Sequence, residues 1–283
     1  MSLRGTNVLV LGMGETGLSM VKWLVRAGAH VRAADSREAP PCLDAIRKIL
    51  PGGAVYAGGF APEAFANVGL VAISPGVSPM EAAVQQASSR GVPLIGDVEL
   101  FALAIEELQG PKPKIVAITG SNGKTTVTAM VGAMVKNGGW DAEVAGNIGP
   151  AVLKVFMERL DSGKLPRAWI LELSSFQLET THNLYPDAAA VLNLSEDHFD
   201  RYAGMQDYAR AKARIFRCKA GFGRHRNGGV QVINREDALV REMELSGRKQ
   251  MTFGLDLPAR DSDFGLLRDG EHSWLAQGNV RLM

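Results

Sequence analysis

A short apolar run that passes through a glycine turn into Lys-Thr-Thr leaves a chain few ways to fold, and residues 115–127 (IVAITGSNGKTTV) have that order. Ile115, Val116, Ala117 and Ile118 carry the unbroken hydrophobicity of a buried strand, Thr119 to Gly123 form the turn, and Lys124 onward opens a helix. A helix start leaves backbone N–H groups unpaired and carries the positive end of the helix dipole, so a strand, turn and helix in this order suit a polyphosphate. Gly120 and Gly123 let the backbone curl around the anion, with Ser121, Asn122 and Thr126 completing the loop. Lys124 would reach the outer phosphates and the Thr125 hydroxyl would ligate a magnesium ion. The usual loop has a further glycine where Ile118 stands, so the spacing here is Gly120-x-x-Gly123-Lys124-Thr125. The plainer alternative is a glycine-rich turn with an exposed lysine.

Composition narrows the class. A chain of 283 residues has room for about two domains, each with its own core. The net charge of +1 gives no reason to expect nucleic acid or an anionic membrane as partner. Cys42 and Cys218 are too few and too far apart for a disulfide framework or a metal cluster and fit a reducing compartment. No apolar run approaches the roughly 18 residues of a membrane span. The N-terminal apolar stretch is broken by Gly12, Gly14 and Glu15, unlike a signal peptide. A cytoplasmic enzyme is the expectation.

A second glycine motif stands near the N terminus. Residues 7–11 (NVLVL) form a strand, Gly12-x-Gly14-x-x-Gly17 turns into an amphipathic helix ending at Gly28, and a strand from His30 ends at Asp35. This is a dinucleotide-binding fingerprint with its acidic residue at the distance where it could take a ribose hydroxyl. NAD, another diphosphate nucleotide, and a purely structural turn all remain open on these residues alone.

Strands at 70–74 and 93–95 alternate with helices at 80–90 and 97–108, which argues a parallel, doubly wound sheet. Residues 109–114 (QGPKPK) interrupt every periodicity and mark a boundary between domains at 1–110 and 111–283. After the phosphate loop come a helix to about Asn137, a short strand near Val144 and the turn Gly146-Asn147-Ile148-Gly149. The strand at 168–173 (AWILEL) carries Glu172 in an apolar run. A buried carboxylate needs a partner, and in a nucleotide-hydrolysing sheet the natural one is magnesium; an edge position or a structural salt bridge is the alternative. The strand at 188–194 leads into Ser195-Glu196-Asp197-His198, placing a histidine suited to metal binding or acid–base work at the same sheet edge as Glu172 and Gly120. In the helix around Tyr208, spacing alone makes Lys212 part of a solvated basic face. The basic turn at 217–229 is expected to be a loop, followed by a strand at 230–234, a helix at 237–244, a strand at 251–254 and irregular β structure.

Taken together these motifs resemble the Mur ligases of peptidoglycan synthesis over the whole chain, and among them the D-glutamate-adding branch. The resemblance is carried by Thr119-Gly-Ser-Asn-Gly-Lys-Thr-Thr126, Glu172-Leu-Ser-Ser-Phe-Gln-Leu-Glu179, Gly12-Met-Gly-Glu-Thr-Gly-Leu-Ser19, Ser74-Pro-Gly76, Gly96-Asp-Val-Glu-Leu-Phe101, Gly146-Asn-Ile-Gly149 and Glu196-Asp-His-Phe-Asp-Arg-Tyr202. It implies an α/β chain in which a Rossmann-like domain holds the UDP of the substrate UDP-N-acetylmuramoyl-L-alanine through Thr16, Asp35, Ser36, Arg37 and Gly76. It also implies a P-loop ATPase domain that takes ATP on the Gly120–Thr126 loop, with Lys124, Glu172, His198 and Lys212 catalytic. Thr125, Glu172 and His198 would bind two magnesium ions with Lys212, which the resemblance implies is carbamylated. Asn147 and Ser174 would contact the muramoyl substrate. The expected partners are these substrates and D-glutamate, with no nucleic acid or membrane, for a monomer. The family has a further C-terminal domain for D-glutamate, so the P-loop domain is expected to be incomplete at its C terminus and this chain not to ligate D-glutamate. A non-catalytic nucleotide-binding remnant and, less favoured, a nicotinamide-dependent oxidoreductase are the alternatives.

Overall fold

The computed structural model describes residues 3–197, 201–216 and 229–283; His198, Cys218 and the basic turn at 217–228 lie outside the described residues. In chain order the elements begin with β1 (Asn7–Leu11), α1 (Glu15–Arg26), β2 (His30–Asp35), α2 (Leu43–Ile49), β3 (Val55–Ala57), β4 (Leu70–Ile73), α3 (Ala82–Ser89), β5 (Leu94–Ile95) and α4 (Asp97–Glu107). Then follow β6 (Lys114–Thr119), α5 (Lys124–Asn137), β7 (Ala142–Gly146), α6 (Val152–Asp161), β8 (Ala168–Glu172), α7 (Ser175–Glu179), β9 (Ala188–Val191) and α8 (Met205–Ala213). The last are β10 (Val230–Asn234), α9 (Ala238–Arg241), β11 (Lys249–Phe253), β12 (Phe264–Asp269), β13 (His272–Gln277) and β14 (Val280–Arg281). None of the described helices is long and apolar enough to cross a membrane.

The chain divides into two compact units. The first comprises Met1–Lys112 with Ala145–Leu165 and Phe176–Leu184, so two segments well past residue 110 belong to it. Its sheet has the order β3-β2-β1-β4-β5 with every pairing parallel. The last four residues of β1 and all of β4 are buried, which is why both read as continuous apolar runs. Strand order reverses between β1 and β4, and the crevice beyond their carboxyl ends is where a doubly wound sheet takes a ligand. The late segment at 145–165 is held by aromatic packing: Phe156 of α6 meets Trp23 of α1 and Phe101 of α4 edge-on, each with 5.4 Å between ring centroids. The segment at 176–184 is held by a carboxylate. Glu99, near the start of α4, accepts the backbone N–H of His182 at 2.6 Å and of Asn183 at 2.9 Å, and the Asn183 amide.

The second unit has the sheet order β14-β13-β12-β11-β10-β9-β6-β8-β7. From β8 through β6, β9 and β10 to β11 the pairings are parallel; β12, β13 and β14 form an antiparallel extension, so the C-terminal stretch is a regular hairpin and edge strand rather than irregular. Strand β8 lies between β6 and β7 and is buried along its whole length, which rules out an edge position for Glu172. Helix α9 is shorter than the expected helix at 237–244, a single turn over Ala238–Arg241 whose N-cap Asp237 accepts from Val240 N–H. The helices α2, α6 and α7 and the strand β3 have no counterpart in the sequence expectations.

Candidate functional site

In the first unit, the turn between β1 and α1 and the segment after β4 bound a cavity of about 500 Å³ lined by Gly12, Gly14, Glu15, Thr16, Asp35, Ser36, Arg37, Ser74, Pro75, Gly76, Val77, Gly146, Asn147 and Gln177. Six residues expected to bind substrate, Thr16, Asp35, Ser36, Arg37, Gly76 and Asn147, thus share one cavity. Asp35 is buried and its carboxylate is fully engaged: one oxygen takes Met13 N–H at 2.6 Å and the Arg37 guanidinium at 2.7 Å, the other takes the Arg37 backbone and Nε at 2.9 Å each. Burial by itself would raise its pKa, but the Arg37 guanidinium and the two backbone N–H groups outweigh it and bring the carboxyl to about 2. Asp35 therefore fixes the glycine turn and the Arg37 head, whereas the sequence suggested a carboxylate open to a ribose.

Gln177, which lies within the Glu172–Glu179 motif, also lines the cavity although the sequence assigned it no role. It is buried, and its Nε2 faces both carboxylate oxygens of Asp97 at 3.3 and 3.4 Å. Burial pushes the Asp97 carboxyl up to about 6, only partly offset by the Gln177 amide and by the N–H groups of Val98 and Asp97. In the folded chain Asp97 thus keeps its proton to about pH 6, while in the unfolded chain it loses it near 3.8. The folded state binds more protons between those values, so stability falls as pH rises from 4 to 6, by up to about 3 kcal/mol from this group. Urea unfolding from pH 4 to 7.5 should show that loss, and Asp97→Asn should flatten it.

In the second unit, strand register sets the loop at 119–123 beside the ends of its neighbours: Ile118 pairs with Glu172 and Thr119 with Val191. Glu172 is 1% exposed, and the Thr125 hydroxyl donates to its Oε2 at 2.9 Å. Lys124 folds back on the loop, its ammonium donating to the carbonyls of Gly120 at 3.0 Å and Ser121 at 2.9 Å. Lys212 reaches the same Gly120 carbonyl at 2.8 Å from α8, with the Thr119 hydroxyl at 3.4 Å and the Tyr208 ring face at 4.6 Å. It is 1% exposed, so the solvated-face expectation fails for Lys212. Tyr208, Lys212 and Ile215 are all buried at i, i+4 and i+7, and a lysine on that stripe was the available signal. Burial, and next the Lys124 ammonium, pull the Lys212 amine down to about 7 against the opposing pull of Asp197 and Glu172.

Ser174 follows β8 in this second unit and is not among the lining residues of the first unit's cavity, while His198 lies outside the described residues. Among the described residues no group of three His, Cys, Asp or Glu side chains is arranged for a metal.

The sequence itself decides the family. Residues 118–277 match the Mur ligase middle domain, and residues 6–96 match the Mur ligase MurD-like N-terminal domain. The chain belongs to the Mur ligase family. Among its curated relatives, the UDP-N-acetylmuramoylalanine–D-glutamate ligases of Nitrosospira multiformis and Nitrosomonas europaea are 59% and 56% identical over 283 residues, all of this Mur ligase chain. The chain spans 58% and 59% of the length of those two relatives. Solved Mur ligases share its fold. The UDP-N-acetylmuramate:L-alanyl-γ-D-glutamyl-meso-diaminopimelate ligase of Neisseria aligns at TM-score 0.57 and 16% identity, over 96% of this chain and 83% of that one. The UDP-N-acetylmuramate–alanine ligase of Thermotoga maritima aligns at 0.54 and 18%, over 98% and 59%.

Proposed function

We propose that this Mur ligase chain holds the two nucleotide sites of an ATP-dependent ligase that joins D-glutamate to UDP-N-acetylmuramoyl-L-alanine in peptidoglycan synthesis, in the cytoplasm and as a monomer. The observation that carries the proposal is the meeting of Lys124, Thr125, Glu172 and Lys212 at one end of the β6 and β8 strands, where a phosphate loop needs a cation and a magnesium-binding pair. The 59% and 56% identity to ligases of that name supports this reaction.

In this proposal residues 1–110 form the core of the UDP-substrate domain, with Thr16, Asp35, Ser36, Arg37 and Gly76 around the uridine diphosphate. Asn147 and Ser174 serve the muramoyl part. Residues 111–283 carry ATP on Gly120, Ser121, Asn122, Gly123, Lys124, Thr125 and Thr126. A buried carboxylate beside a hydroxyl is a hard oxygen donor set, and it fits magnesium, which keeps waters and phosphate oxygens as its other ligands. Thr125 and Glu172 would hold one ion, and His198 with carbamylated Lys212 a second. Bound there, magnesium neutralises charge on the phosphates.

The L-alanine carboxylate of the muramoyl substrate attacks the γ-phosphorus, forming an acyl phosphate and releasing ADP. The Lys124 ammonium and the start of α5 stabilise the charge on the phosphoryl group in transit. The D-glutamate amine then attacks the acyl carbon, loses a proton, and expels phosphate to leave an amide. Lys212, with its amine brought to about 7, is substantially neutral at physiological pH and can attack carbon dioxide, forming an N–C bond and releasing a proton to give the carbamate. The first half-reaction tests the assignment. With ATP, magnesium and UDP-N-acetylmuramoyl-L-alanine, borohydride should trap the acyl phosphate as the reduced L-alaninol product from the wild-type chain and none from Lys124→Ala. ATP cleavage indifferent to the muramoyl substrate, with no trapped product, would contradict it.

A further inference from the structure

The segment that follows β9 does more than end a strand. Leu192 N–H donates to Thr119 O at 2.9 Å, Asn193 O accepts Ser121 N–H at 2.9 Å, and the Asn193 amide grips the backbone of Asn122 from both sides. Its Oδ1 accepts Asn122 N–H at 2.8 Å and its Nδ2 donates to Asn122 O at 3.1 Å. Two residues on, the Ser121 hydroxyl takes Ser195 N–H at 3.0 Å and lies 3.2 Å from Ser195 O and from the Tyr208 hydroxyl. The Asn122 side chain closes the ring by donating to Ser195 Oγ at 3.0 Å.

This clamp is itself anchored. Asn234, at the end of β10, donates to Leu192 O at 2.9 Å, and Asp237 accepts Leu194 N–H at 2.7 Å. The clamp is also close: a Cβ on Gly120 would stand 3.0 Å from Leu192 Cβ and 3.3 Å from Asn193 N, so the loop lies flat on this segment only because that position is glycine.

We propose that Asn193 is a positioning residue that holds the phosphate loop in its binding form before any nucleotide arrives; this rests on the loop being the ATP site. It follows that the N–H groups of Ser121 and Asn122 are spent on Asn193, and that the backbone grip on phosphate comes from residue 123 onward, at the start of α5. Asn193 touches no reacting atom. Its effect is to spare the nucleotide the cost of ordering the loop, since a site populated only in part binds more weakly in proportion.

Two measurements on the whole chain test this. Amide hydrogen exchange without nucleotide should find Asn122 N–H protected in the wild type, exposed to exchange in Asn193→Ala, and still protected in Asn193→Asp, which keeps the acceptor. The amides of β6 and β8 should stay protected in all three, which separates a local release from unfolding. Titration with ATP and magnesium should show affinity about tenfold lower in Asn193→Ala, the scale of two hydrogen bonds that no longer preset the loop. An Asn122 amide that exchanges equally slowly in Asn193→Ala overturns the inference. So does unchanged ATP affinity in Asn193→Ala while Lys124→Ala weakens binding about 100-fold, a result that leaves the ATP site standing. Wild-type ATP binding that Lys124→Ala does not alter would bring down the ATP site and the role of Asn193 with it.

Discussion

Lys124→Ala should weaken ATP binding about 100-fold while leaving the unfolding midpoint of the chain nearly unchanged. The ammonium rests on two neutral carbonyls and, among the described residues, has no ion pair. Phosphate oxygens can replace those carbonyls with charge-assisted hydrogen bonds, worth roughly 1.5–3 kcal/mol each, and about 3 kcal/mol is a factor of about 100 in affinity. The fold has little to lose, because Lys124 is only half-buried and its partners lie on its own loop. The variant should also let the Lys212 pKa rise, since the Lys124 ammonium is the second cause of its depression. Calorimetric titration with ATP and magnesium, alongside thermal unfolding, checks both parts.

Gly17→Ala should destabilise the first unit by at least about 3 kcal/mol and abolish its ligand cavity. A Cβ at position 17 would sit 1.8 Å from the Gly12 carbonyl oxygen and 2.9 Å from its carbon, both backbone atoms of the turn that leads from β1 into α1. Neither can yield without moving the helix off the strand, and the helix start is one wall of the cavity. Gly14→Ala supplies the contrast. Its Cβ would meet nothing within 4 Å, and its φ of −90° suits any residue, so its cost in stability should stay under about 1 kcal/mol. Urea unfolding of the two variants, with UDP-N-acetylmuramoyl-L-alanine binding measured on each, separates a steric effect from a general intolerance of the turn.

What could be read from residues alone was whatever a short stretch fixes by itself. Apolar runs ending in glycine located β1, β4 and β6, and a carboxylate at the end of such a run singled out Glu172. Features that depend on contacts across the chain were hidden. Nothing local shows that α6 packs on α1 and α4 through Phe156, or that Glu99 reaches forward to His182 and Asn183. Asp35 stood at the right distance for a ribose, but the folded turn turns its oxygens onto Met13 and Arg37. Lys212 looked like one of several surface bases between Arg210 and Arg214. Only the buried Tyr208 one turn before it and the buried Ile215 just past the end of α8 set it apart. Gln177 and Asn193 are ordinary polar residues in sequence and acquire roles only from Asp97 and from the loop backbone that face them.

We propose that one chain carries two distinct nucleotide sites, one for a UDP-linked substrate and one for ATP, and crossed titration separates them. UDP-N-acetylmuramoyl-L-alanine, ATP with magnesium, and NAD would each be titrated into the wild type, Arg37→Ala and Lys124→Ala. Arg37→Ala should lower affinity for the UDP ligand about tenfold, the scale of losing one charged hydrogen-bonding group, and leave ATP binding intact. Lys124→Ala should do the reverse, and NAD should not compete at either site. Tight NAD binding that Arg37→Ala weakens, or loss of both ligands in either variant, would contradict the claim.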